Sequence, residues 1–219
     1  MRTVTPHLLY TLETILFASV IFMHLTRKNS TAIFLYVTQS LVVAATLLLS
    51  AFQEASWLLI AVGLVTFLVK VIVAPYFFSG LIQKRRLQFS VSTYLNGPLT
   101  LIILALLTAF SYSRLFRPLS ILAPQNQGSL LLAIGMMFSS LFLIINRKGI
   151  LSQMIGILSL ENAIVSFAYV AGLEATAGLQ VGILFDILVW IVMATVFATM
   201  IYRHFGSLDA STMKNLKEK

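Results

Sequence analysis

Seven largely apolar stretches of about bilayer length run along this chain, and no other feature constrains its fold so strongly. They are Leu8–Leu25, Ala32–Phe52, Trp57–Phe78, Pro98–Leu115, Leu130–Ile145, Ile150–Gly172 and Leu179–Tyr202. A helix rises about 1.5 Å per residue, so about 20 apolar residues cross a hydrocarbon core ~30 Å thick. Inside that core the backbone must satisfy its own hydrogen bonds, which favours helices for runs of this length. The expectation is an all-α, polytopic membrane bundle of about seven transmembrane helices over residues 1–206, then a short polar tail, 207–219. With 59% of residues hydrophobic and 10% charged, nothing resembles a second, soluble domain. The first stretch contains Glu13 and has no small-residue cleavage pattern ahead of Arg27-Lys28, so it is expected to stay as a helix. Asn96-Gly97-Pro98 reads as a helix cap followed by an N-terminal proline. The connection from Phe116 to Ser129, with Pro118, Pro124, Asn126 and Gly128, reads as irregular surface chain.

Charge predicts an orientation. If the loops after the first, third, fifth and seventh stretches lie together, one side holds Arg27, Lys28, Lys84, Arg85, Arg86, Arg147, Lys148, Arg203, Lys214, Lys217 and Lys219. The other side holds only Arg2, Arg114 and Arg117. Eleven bases against three is a positive-inside bias, which puts the N-terminus outside and the C-terminus in the cytoplasm. The same clustering at membrane edges accounts for the net charge of +8, and the bases lack the aromatic interleaving of a nucleic-acid surface. Cysteine is absent, so thiolate metal sites, iron–sulfur clusters and disulfides are excluded. His7, His24 and His204 fall at predicted helix ends without ligand spacing, so no metal site and no cofactor is expected in this chain.

Against this apolar background Lys70, Glu161 and Asp186 stand out. An ionisable side chain at the centre of a membrane helix costs roughly 2.5–3.5 kcal/mol, and such residues face a bundle interior or water path and handle ions or protons. Lys70 shares a helix face with Gly63, Thr66 and Ala74, small residues that let another helix approach. Pro75 cannot bond back to the carbonyl of Val71, so the helix is expected to kink beside the lysine. In the sixth stretch Ser152, Gly156, Ser159, Ala163 and Ser166 form a narrow stripe of small residues for close packing. Glu161 points away from that stripe and is the deepest acid of the chain, the favoured proton carrier. Asp186 falls toward the outer half of the last stretch, as either a relay or a structural partner. Glu13 is a weaker candidate in the outer half of the first, and Gln39 in the second suits interhelix bonding or a relay.

These residues also resemble a known family. Tyr36-Val37-Thr38-Gln39-Ser40-Leu41, Lys70-Val71 with Pro75, Gly149 through Gly156 leading to Glu161-Asn162, the Gly182 to Asp186 stretch, and Gly206-Ser207-Leu208-Asp209 carry the likeness. Their order and spacing resemble hydrogenase-4 component E, a membrane subunit of energy-converting hydrogenase and formate hydrogenlyase complexes. The span Asn146 through Ala163 is also similar to the second helix of the K-type subunit of respiratory complex I. There the buried glutamate follows the glycine by two residues, where this chain has Leu158. Glu161 comes one helical turn later, a depth shift of about 4.5 Å.

The resemblance implies a place in the membrane arm of a complex-I-like assembly in a prokaryotic inner (plasma) membrane. It implies antiporter-like membrane subunits and a soluble nickel–iron hydrogenase or related oxidoreductase module as partners. Glu161, Lys70, Asp186, Gln39 and Glu13 would then contribute to a proton or cation path, with no redox centre in this chain. Two other classes stay open: a structural anchor that docks partners, and a free-standing small transporter. The latter would need a repeat or paired broken helices around a midplane site, and the sequence has one proline-interrupted helix.

Overall fold

Helix boundaries fall where cap and turn residues interrupt the apolar pattern. The computed structural model describes residues 6–53, 55–85, 92–173 and 182. Helix α1, Pro6–Leu25, opens on a proline, whose missing N–H would be unpaired at a helix start in any case. A short turn leads to α2, Asn29–Gln53. Ala55 takes a positive φ of 49° just past the end of α2, and Ser56 then caps α3, Trp57–Thr66, by accepting from the Leu59 N–H at 3.3 Å. The chain continues without a break through a π-helical stretch, Phe67–Val73, into α4, Ala74–Arg85.

Helix α5, Gly97–Ser111, begins at the expected signal: the Asn96 side chain accepts from the Leu99 N–H at 3.0 Å, with Pro98 in the first turn. A 3₁₀ turn at Arg117–Leu122 crosses to α6, Gln127–Asn146, and Gly149 leads into α7, Ile150–Val170.

Among the described residues the protein is all-helical, with one isolated bridge between Thr93 and Arg147. Among the described residues, five helical segments are long and apolar enough to cross a membrane: His7–Leu25, Asn29–Phe52, Trp57–Gly80, Gln127–Asn146 and Leu151–Val170. The fourth expected span shortens to α5, whose 15 residues reach only about 22 Å at 1.5 Å each. The seventh expected span, with Asp186, and the polar tail lie outside the described residues.

Helices α1, α2, α7 and α6 pack as a ring, each against the next. The α3–π–α4 span covers the outer side of α2, and α5 covers α6. Three apolar clusters stack along the ring. Leu9, Leu130 and Tyr169 fill one end, Leu16, Val43, Met136 and Ala163 the middle, and Met23, Tyr36, Leu143 and Ile155 the other. These pairings make α1 parallel to α6, and α2 and α7 antiparallel to both.

The small-residue stripe of α7 is buried along its length, and at Gly156 an added Cβ would stand 2.9 Å from Ile144 Cγ1 and 3.2 Å from its backbone nitrogen. The α6 backbone therefore approaches as the small residues predict. On α3, Gly63 similarly admits Leu48 of α2.

Arg147, read from sequence as one of the loop bases, is buried at 2% exposure. Its guanidinium donates to the carbonyls of Met23 and Thr26, at 3.2 Å for the latter, and so caps the last turn of α1. A cation there offsets the negative end of the helix dipole. Burial pushes its pKa down to about 10, which leaves it charged at neutral pH.

Candidate functional site

Lys70 reaches the interior because of what Pro75 does to the backbone. The proline lacks an N–H for the carbonyl four residues back, and the turns before it widen: the Ala74 N–H bonds Val69, five residues earlier. The expected local distortion is thus a π-helical stretch of seven residues, and Lys70 lies within it. With Thr66, Lys70 and Ala74 almost fully buried, this face packs against α2. The ammonium of Lys70 lies 3.5 Å from Glu161 Oε2 on α7, so the two ionisable residues expected at mid-depth form one ion pair. Removing two charges from water is costly, and only close pairing within a polar setting offsets it.

A polar setting exists. Next to Glu161, Asn162 is fully buried and donates to Ser40 Oγ of α2 at 3.1 Å. Gln39 precedes Ser40, is fully buried, and both atoms of its amide head lack a hydrogen-bond partner. Thr66 Oγ1, one turn before Lys70, and Asn162 Oδ1 are unsatisfied as well. Buried polar atoms are nearly always bonded, and exceptions mark catalytic groups, ions or water. This level of α2, α7 and the π stretch therefore carries unsatisfied donors and acceptors beside the charge pair.

Glu13 is buried at 2% exposure, and the Glu161 side chain is 15% exposed. Glu13 Oε1 accepts from Ser166 of α7 at 2.5 Å, while Oε2 has no partner. Ser166 lies five residues beyond Glu161, a rise of about 7.5 Å. Glu13 and Glu161 therefore both bear on α7, five residues apart at their points of contact. The α7 helix links them because Asn162 and Ser166 are one turn apart on the same face.

Of the candidates, Lys70, Glu161, Gln39 and Glu13 lie along the interface that α7 shares with α2, the π stretch and α1. Asp186 lies outside the described residues. Sequence reading passed over Asn162, Thr66 and Ser166 as site groups, although Ser159, Asn162 and Ser166 recur at helical spacing beside Glu161. No group of three or more potential metal ligands occurs among the described residues. What the arrangement offers chemically is a charge pair plus protonatable and hydrogen-bonding side chains, suited to moving a proton or holding a small cation. Comparisons with protein-family models, curated proteins and solved structures return no match for this chain.

Proposed function

We propose that this protein is a membrane-arm subunit of an energy-converting hydrogenase or related complex-I-like oxidoreductase. Within it, the chain contributes to a proton or cation path driven by redox chemistry in a partner module. The observation that supports this most is the Lys70–Glu161 pair, set between spans and bordered by unsatisfied polar groups. A purely architectural pair has no need of such neighbours.

In this reading Glu161 is the titrating carrier and Lys70 the charge that responds to it. A proton on Glu161 removes the attraction that holds the ammonium, and its loss restores the attraction, so proton occupancy and the position of Lys70 change together. Gln39 and Asn162 hand protons or water along, Glu13 continues the path, and Asp186 serves as an outer-side relay. The proposed assembly has seven spans with the N-terminus outside and lies in a prokaryotic plasma membrane. Its partners are antiporter-like subunits and a soluble nickel–iron hydrogenase or related module.

The test is the Glu161→Gln variant, which keeps shape and hydrogen bonding but not the proton. In gentle detergent the variant should still elute with its larger membrane and metal-containing partners. In sealed vesicles, turnover linked to the ion gradient should fall while dye-linked redox activity persists. Full coupling in the assembled variant would overturn the relay in favour of a docking role.

A further inference from the structure

His24 sits near the end of α1, where sequence reading left it aside as a helix-end residue. The structure places it inside the ring. It is 5% exposed, its imidazole stacks on Phe142 with centroids 5.0 Å apart, and Nε2 lies 2.9 Å from the carbonyl oxygen of Ser139. A carbonyl only accepts, so Nε2 must carry hydrogen. In the neutral ring that leaves Nδ1 with a bare lone pair, and Nδ1 is buried without a partner. Ser139 Oγ, on the residue whose carbonyl holds the ring, is buried and unpartnered too.

Further polar groups follow in sequence. Ser140, the next residue of α6, meets Ser159 Oγ at 3.0 Å. Ser159 is one turn from Asn162 on α7, beside Glu161 and bonded to Ser40. Among the described residues a charged group near the ring is Arg147, whose guanidinium holds the carbonyls of Met23 and Thr26 on either side of His24. The residues that contact the ring, Phe142 and Ser139 of α6, are uncharged.

We propose that His24 Nδ1 is a proton-exchange site that joins the Arg147 end of the bundle to the Glu161 trail through Ser139, Ser140 and Ser159. A proton from water binds Nδ1 and gives an imidazolium whose Nε2–H stays on the Ser139 carbonyl. Release of that proton to a hydroxyl or water of the trail restores the neutral ring. No other bond changes and no oxidant or reductant takes part. This deepens the relay reading and rests on it.

The first test needs only the full-length chain, labelled with ¹⁵N-histidine in phospholipid nanodiscs, with the His24 signal assigned by its loss in His24→Phe. Nitrogen shifts should show hydrogen on Nε2 and a bare Nδ1, and the ring N–H should exchange with D₂O although the ring is buried. Hydrogen on Nδ1, or a ring N–H as slow to exchange as the backbone of the bundle core, would overturn the proposal.

The second test uses His24→Gln, whose amide can still donate to Ser139 but cannot titrate. In native membranes with partners assembled, gradient-linked turnover should fall about 10²-fold, the lower end of what a positioned acid–base group contributes. Retained coupling in His24→Gln alongside lost coupling in Glu161→Gln would overturn the His24 assignment and leave the proposed function standing. Retained coupling in both would overturn the two together.

Discussion

At the scale of single residues, the Lys70–Glu161 pair separates stability from function. Lys70→Met removes the basic partner of Glu161, and breaking a buried pair costs about 3–5 kcal/mol. Glu161 is partly exposed, so the lower end of that range is expected, read as a fall in the thermal midpoint of the purified chain. Adding Glu161→Leu should recover most of the lost stability, because an apolar pair of similar volume leaves no charge unpaired. Gradient coupling should stay lost in the double variant. Recovery of both together would mean that the pair is architectural. The two ionisable residues were legible in the sequence as costly charges in oily runs. That they meet was not, because 91 positions separate them and no periodicity within one helix reports on another. The bond between Ser166 and Glu13 was illegible for the same reason, since 153 positions separate them.

At the scale of elements, glycine contacts rank the helix interfaces. At Gly156 an added Cβ meets the Ile144 backbone as well as its side chain, so Gly156→Ala must push α6 from α7. Overpacking of this kind costs about 1–3 kcal/mol. At Gly63 the added Cβ meets the far end of the Leu48 side chain at 2.7 Å, which can rotate aside, so Gly63→Ala should cost less. Thermal unfolding of the two variants in one detergent checks the order, and equal losses would contradict it. Pro75 gives the complementary case. Pro75→Ala restores an N–H and permits regular α-helix, so the π stretch should tighten and turn Lys70 away from Glu161. Coupling should then fail with both charged residues still present. The proline marked the place of the distortion in the sequence; its form depended on how α2 holds the face of Thr66, Lys70 and Ala74.

For the whole molecule, topology is the direct test. The chain has no cysteine, so single cysteines report access without background. A cysteine at Gln125 should react with an impermeant reagent in intact cells, and one at Lys84 only after permeabilisation. Labelling of Lys84→Cys from outside would reverse the proposed orientation. By itself the sequence determined the all-helical membrane character, the cap at Asn96, and the close-packing stripe on α7. Each of these follows from hydropathy, backbone chemistry or side-chain size within one segment. Tertiary structure decided the ring order of α1, α2, α7 and α6, the burial of Arg147 at the end of α1, and the joining of Lys70 to Glu161. It also decided which polar atoms lack partners, His24 Nδ1 and the Gln39 amide among them. The physical reason is that bilayer insertion acts on each helix separately, whereas desolvation of a polar atom depends on what every neighbouring helix places against it.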